Sequence, residues 1–141
     1  MELIRDFKKL GKNDADIAGG KGASLGEMTQ AGIPVPAGFV ILSESFEKFL
    51  EETDLNVEID SVLHSVNHKE IHTVENASEK IQAMILAAEM PEDIATEIKK
   101  FFEELNTKYV AVRSSATAED SASAAWAGQL DSFLNTTENY L

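Results

Sequence analysis

The chain has 141 residues, of which 43% are hydrophobic, and it carries a formal net charge of −13. This length suits one domain or a piece of a larger one, and the apolar content argues against disorder. The lack of cysteine excludes disulfides and thiolate metal sites. The acidic balance opposes nucleic-acid binding, and no secretion signal or membrane-length apolar run is present. We expect a soluble, cytoplasmic protein without a membrane or nucleic-acid partner.

The first part of the chain predicts a short element, a helix and a strand. Residues 3–10 fit either a strand or a helical turn, and Lys12 to Asp16 form a polar loop. A helix is predicted from about Gly22 to Ala31, because Gly32 is typical of the position after a helix end. Its expected inward residues are Leu25, Met28 and Ala31. Gly38 to Leu42 are typical of a buried strand.

Helices dominate the predicted middle of the chain. Ser43 is expected to cap a helix. Its inward residues are Phe46, Phe49 and Leu50. Residues 57–72 are weakly patterned and fit a helix interrupted by a turn. Two stronger helices follow, at residues 74–90 and from Pro91 onward. Their apolar stripes are Ala77, Ile81, Met84, Ile85 and Ala88 in the first, and Ile94, Ile98, Phe101, Phe102 and Leu105 in the second.

The last part predicts two strands with a loop between them. Tyr109 to Val112 form a short buried strand that ends at Arg113. Residues 114–128 are loop-like, and residues 129–135 indicate a second strand. Helices and strands in this order predict an α+β domain of mixed α/β character.

Two segments of small residues each contain one cation. The first is Gly19 to Met28 (GGKGASLGEM), with Lys21, and the second is Val112 to Asp120 (VRSSATAED), with Arg113. Small residues let backbone N–H groups approach an anion, which a nearby cation neutralises. Lysine meets a phosphate as a point charge, whereas arginine can bind one bidentately. Together the two segments predict two walls of a polyphosphate site.

Each cation also has a purely structural interpretation. The first segment is not a Walker A motif, because Lys21 is followed by Gly22, and from composition alone an exposed lysine at a helix start is the simpler interpretation. Arg113 at the end of an apolar strand needs an anion, which a ligand could provide. Glu119 or Asp120 could provide it instead, in an ion pair that orders the loop.

Other candidate site residues carry weaker signals. His64, His68 and His72 recur every four residues, which on a continuous helix would place them on one face. Without cysteine or a strong helical pattern, we interpret them as solvated and assign no metal site. Trp126 could stack on an adenine, but packing in the core or loop is the simpler interpretation.

The two segments resemble a known family. Gly19 to Val40 resembles the start of the phosphoenolpyruvate synthase and pyruvate phosphate dikinase family, whose pattern is GGKGA-LGEM…G-PVP-GF. Val110 to Asn135 resembles the same family's VRSSATAED…AGQ-D/E-T-LN segment, in the form nearer to phosphoenolpyruvate synthase. Rifampicin phosphotransferases share both segments and remain an alternative. Residues 44–108 carry no motif that can be assigned.

The resemblance implies that residues 1–141 are the N-terminal portion of an ATP-grasp nucleotide-binding domain. It implies that Lys21 contacts ATP phosphates, that Arg113 holds them during transfer and is catalytic, and that Gly128 and Ser132 also contact the nucleotide. The loop at residues 121–126 departs from the family pattern in lacking its proline.

The resemblance further implies an enzyme longer than this chain. ATP would phosphorylate a histidine on another domain, which passes the group to pyruvate and so forms phosphoenolpyruvate, with Mg²⁺ held by ligands outside this chain. A fragment of this kind would be inactive alone and prone to self-association. A stand-alone, non-catalytic module that binds nucleotide or protein is the non-enzymatic alternative.

Overall fold

The fold combines helices with two small antiparallel sheets. The structure, a computed structural model, describes residues 1–117 and 131–141. Its elements are β1 (Ile4–Asp6), α1 (Ala15–Gln30), β2 (Phe39–Ile41), α2 (Ser43–Glu52), α3 (Leu55–His64), α4 (Ile71–Ala87), α5 (Glu92–Leu105), β3 (Val110–Arg113) and β4 (Ser132–Thr136). This mixture confirms the predicted α+β class. Within the described ranges, no helix is long and apolar enough to cross a membrane.

The first sheet joins the N-terminus to β2. β1 pairs antiparallel with β2, with Ile4 opposite Ile41 and Asp6 opposite Phe39. A short 3-10 turn follows β1 directly, so residues 3–10 contain both of the elements that the pattern allowed. β2 lies within the predicted strand but is only partly buried, because a two-stranded sheet covers one face and leaves Ile41 46% exposed.

The described residues form two hydrophobic clusters. The larger cluster joins the first sheet to the helical layer, and its buried members are Ile4, Phe49, Leu55, Ile94 and Ile98. The smaller cluster packs α1 against the segments on either side of the first sheet, and its buried members are Leu10, Ala18 and Leu42. The smaller cluster therefore anchors the helix that carries the glycine-rich segment.

The glycine-rich helix differs from the prediction in its start and in its inward face. α1 begins at Ala15 rather than near Gly22, and it is broken at Gly19 by a non-helical backbone conformation. Its buried residues are Ala18, Gly19, Gly22, Ala23 and Gly26, whereas Ala31, predicted to point inward, is exposed. The prediction failed because glycine adds no hydrophobic signal to the helical period. At Gly26, a Cβ atom would lie 2.6 Å from the Leu10 carbonyl oxygen, so only glycine allows this packing.

The end of α1 confirms the role predicted for Gly32. The N–H of Gly32 donates to the Thr29 carbonyl at 3.2 Å, and that of Ile33 donates to the Met28 carbonyl at 3.1 Å. Gly32 has a φ of 81°. These two bonds and the left-handed glycine form a Schellman ending, which satisfies carbonyls that the helix leaves without partners.

Two predictions for α2 were wrong. Ser43 lies inside the helix, and the residue before it, Leu42, is the cap position, without a side-chain capping bond. Phe46 is 51% exposed, although its ring stacks beside that of Phe49 at a centroid distance of 6.4 Å. The buried stripe instead passes through Leu42, Ser45 and Phe49, which recur at the helical spacing of three and four residues.

The remaining helices agree with the pattern in type, although α4 spans Ile71–Ala87 rather than residues 74–90 and buries only Ala77 of its predicted stripe. Residues 57–72 contain the end of α3, a turn and the start of α4, as the interrupted helix predicted. α5 begins directly after Pro91 and buries Ile94, Ile98 and Phe102. These three residues belong to the stripe predicted for it.

An ion-pair network links α2 to α5. The Lys48 ammonium lies 2.5 Å from Asp93 and 3.3 Å from Glu52. The hydrogen bond from Lys48 lowers the pKa of Asp93. Because the folded-state pKa is depressed, this contribution to stability is present above the unfolded-state pKa and is lost as the pH falls through the folded value.

The second sheet is less buried than the sequence indicated. β3 and β4 pair antiparallel, with Val112 opposite Phe133, so these two side chains share a face. Val112 is 39% exposed and Phe133 is 60% exposed. The prediction that Tyr109 to Val112 form a buried strand was therefore wrong. Among the described residues, the buried clusters include no member of β3 or β4.

The exposed pair predicts that the 141-residue chain, prepared alone, self-associates. Covering an exposed apolar cross-strand pair with a second apolar surface is favourable, because it removes apolar area from water. Sedimentation should show concentration-dependent association, and Phe133→Lys should reduce it. Leu86→Lys, at an apolar residue of α4 that is 85% exposed, is the matched control and should not. A monomer at every concentration tested would contradict the prediction.

Candidate phosphate site

The two cation-bearing segments, 93 residues apart in the chain, contact each other directly. The Ser115 Oγ atom accepts a hydrogen bond from the Gly22 N–H at 3.0 Å. The same hydroxyl donates to the Ala18 carbonyl at 2.7 Å. The Ala116 carbonyl accepts from the Gly20 N–H at 3.2 Å. The two segments that were predicted to flank one site are therefore in contact in the fold.

The break at Gly19 makes room for this contact. Gly19 has a φ of 76° and a ψ of 165°, a region that is essentially restricted to glycine. A Cβ atom there would lie 2.7 Å from both the carbonyl carbon and the carbonyl oxygen of Ser115. Both the backbone conformation and the close approach therefore require glycine at this position.

Lys21 lies at the junction of the two segments. Its ammonium donates to the Ser114 carbonyl at 2.8 Å, and its side chain is partly buried. A lysine ammonium has three N–H donors, so it can hold a carbonyl and a further acceptor at the same time. The lysine is therefore tied to the second segment, an arrangement that both the phosphate-binding and the structural interpretation allow.

Arg113 is the last residue of β3 and immediately precedes Ser114. It is exposed, and within residues 1–117 and 131–141 no carboxylate forms an ion pair with it. Glu119 and Asp120, the partners of the structural interpretation, lie outside the described residues. Arg113 is paired in register with Ser132, the first residue of β4.

Three of the four predicted nucleotide-binding residues thus lie on segments that touch. Lys21 is on the glycine-rich helix, while Arg113 and Ser132 face each other across the second sheet. Gly128, the fourth, lies outside the described residues, as does Trp126. Two cations, a hydroxyl and a glycine-rich helix start are groups that suit a polyphosphate.

The histidines do not form a site in the described part of the chain. α3 ends at His64 and α4 begins at Ile71, so His68 lies in the turn between them and the three do not share a helix face. All three are exposed. Across the described ranges, no group of three or more histidine or acidic side chains could hold a metal ion.

The sequence prediction missed the parts played by Gly19 and Ser115. Both residues lie in the two cation-bearing segments, but the prediction assigned roles only to the cations of those segments. One signal was available: a glycine pair directly before the lysine, in a segment predicted to start a helix, leaves that start without a local capping side chain. In the fold, the Ser115 hydroxyl supplies such a cap to the Gly22 N–H.

Known proteins resemble this chain along nearly its whole length. The chain is 45% identical to a probable phosphoenolpyruvate synthase of Methanothermobacter thermautotrophicus, and the match covers 96% of this chain and 21% of that protein. It is 44% identical to a probable phosphoenolpyruvate synthase of Methanocaldococcus jannaschii, over 96% of this chain and 12% of that protein. It is 40% identical to the phosphoenolpyruvate synthase of Helicobacter pylori, over 96% of this chain and 18% of that protein.

The chain thus spans about a fifth or less of the length of these relatives. A family profile described as "Pyruvate phosphate dikinase, AMP/ATP-binding domain" matches residues 15–140. That range includes the glycine-rich helix, both strands of the second sheet and the segment between them. The chain belongs to the pyruvate phosphate dikinase AMP/ATP-binding domain family.

Proposed function

We propose that this chain is the ATP-binding part of a phosphoenolpyruvate synthase-like phosphotransferase. The observation that supports this most is the contact between the two cation-bearing segments, in which Lys21 binds the Ser114 carbonyl, next to Arg113. We further propose that residues 1–141 are the N-terminal portion of an ATP-grasp domain and that Gly128 and Ser132 complete the nucleotide contacts.

The chemistry of phosphoryl transfer explains why two different cations are used. The transferred group carries charge on three equatorial oxygens, and catalysis depends mainly on positioning and charge stabilisation. Lys21, fixed at a helix start, would hold the phosphates of bound ATP as a point charge. Arg113, exposed at a strand end, would bind two oxygens at once and tighten as charge develops on the transferred group.

The complete reaction needs groups beyond these residues. The acceptor histidine lies outside this chain in our proposal, because none of its three histidines lies in a motif for that role. Mg²⁺, which would neutralise phosphate charge, is likewise assigned to ligands outside the chain. The phosphorylated histidine would then pass its group to pyruvate and form phosphoenolpyruvate.

A substrate assay on the complete gene product tests this proposal. With ATP, we expect pyruvate-dependent ATP consumption and formation of phosphoenolpyruvate. Parallel incubation with rifampicin distinguishes the related antibiotic phosphotransferases. Phosphorylation of rifampicin without any pyruvate-dependent reaction would contradict the assignment of the acceptor. A gene that ends near codon 141 would contradict the multidomain mechanism and favour a stand-alone binding module.

A further inference from the structure

The Ser115 hydroxyl spans the break in α1. It accepts from the Gly22 N–H on one side of Gly19 and donates to the Ala18 carbonyl on the other. A serine hydroxyl has one donor and two acceptor lone pairs, so both bonds can form together. The two halves of α1 are thus joined across the break by a side chain from the second cation-bearing segment.

This arrangement is a helix cap supplied from a distance. The helical backbone resumes after Gly19, where the first N–H groups have no partner within the helix. A serine, threonine or aspartate at the position of Gly19 would normally accept one of these bonds, but Gly19 has no side chain. Ser115 caps the Gly22 N–H instead, and the Ala116 carbonyl caps that of Gly20.

We propose that Ser115 is a positioning residue for the phosphate site, a role that rests on the proposed function. Lys21 lies between the two N–H groups that Ser115 and Ala116 bind. Arg113 lies two residues before Ser115 in the same segment. The cap therefore sets the place of the Lys21 ammonium relative to the Arg113 guanidinium, and both must meet one triphosphate.

A serine that positions Lys21 should affect activity, whereas a serine that only stabilises the fold should not. Ser45 is the matched control that separates these two roles. Ser45 is 2% exposed, and its hydroxyl donates to the Leu3 carbonyl at 2.6 Å. Like Ser115, it ties together two segments that are distant in the chain through a bond to a backbone carbonyl. It lies on α2 and takes no part in the contact between the two cation-bearing segments. Ser45→Ala should therefore lower stability without displacing Lys21.

The test compares Ser115→Ala with Ser45→Ala in the complete gene product, using Tm and the kcat and KM for ATP. We expect Ser115→Ala to lower kcat/KM by about 10- to 100-fold, because a small misplacement of a binding group has an effect of that size. Ser45→Ala should change kcat/KM by less than about 2-fold, as expected for a distant, independent site. Equal kcat/KM for the two variants, with the wild-type protein active, would overturn the positioning role alone.

Two further variants keep the outcome decisive. Ser115→Cys is close in shape and is only a weak donor and acceptor, so we expect an intermediate kcat/KM even if Ser115→Ala fails to fold. In a Lys21→Ala background, the effect of Ser115→Ala should nearly disappear, since the residue it positions is gone. Full activity of Ser115→Cys, or additive effects in the double variant, would overturn the inference. A wild-type protein without any ATP-dependent turnover would instead overturn the proposed function.

Discussion

Replacing Arg113 with alanine in the complete gene product is expected to lower kcat by about 100-fold or more, the usual effect of removing a donor that stabilises transition-state charge. The residue is exposed at the end of β3, directly before Ser114, whose carbonyl binds Lys21. A phosphate-binding arginine gains most of its bond strength as charge develops, so turnover should fall more than ATP affinity. Steady-state kinetics with varied ATP measures both.

Arg113→Lys is the control that separates charge from geometry. Lysine keeps the positive charge but loses the planar fork that grips two oxygens, so we expect only partial recovery of turnover. A well-folded Arg113→Ala protein with near-normal turnover would contradict the assignment. It would favour the structural alternative, in which Arg113 orders its loop by pairing with Glu119 or Asp120.

Gly19→Ala should destabilise the chain by about 2–5 kcal/mol, from backbone strain combined with overpacking. The backbone at Gly19 has a φ of 76°, which side chains other than that of glycine rarely tolerate. The new methyl group would also lie against the Ser115 backbone. Urea unfolding of the 141-residue chain at low concentration measures the loss, and ATP binding by the complete gene product should fall with it.

Gly32→Ala isolates the two causes. Gly32 has a similar φ of 81°, but among the residues that the structure describes, apart from its two chain neighbours, no atom lies within 4 Å of the position that a Cβ would occupy. Gly32→Ala should therefore lower the free energy of unfolding through backbone strain alone, by about 1–2 kcal/mol. Equal losses in the two variants would show that the close approach of Ser115 to Gly19 adds nothing to stability.

The contact between the two cation-bearing segments was more predictable than the hydrogen bonds that form it. Lys21 and Arg113 stood out because cations are scarce in this acidic chain and each lies among small residues. Their segments do meet in the fold. The bridging cap was not foreseen, because a helix start without a local capping side chain does not show which residue, here 93 positions away, will cap it.

The fold was predictable where apolar periodicity was strong. α5 buries the stripe that its spacing indicated, including Ile94 and Ile98. Periodicity failed on α1, where close packing is achieved by glycines such as Gly22 and Gly26 that carry no hydrophobic side chain. The burial predicted for β3 also failed, because an apolar strand sequence favours burial but does not show which surface of the fold will bury it.

The central claim is that Lys21 and Arg113 face one triphosphate, and equilibrium binding of ATP and of adenosine to the complete gene product tests it most directly. Adenosine lacks phosphates, so it reports the rest of the nucleotide site. We expect Lys21→Ala to weaken ATP binding by about 10-fold or more, the loss typical of a charged hydrogen bond, while adenosine binding stays unchanged. Unchanged ATP binding, or an equal loss for both ligands, would contradict the claim.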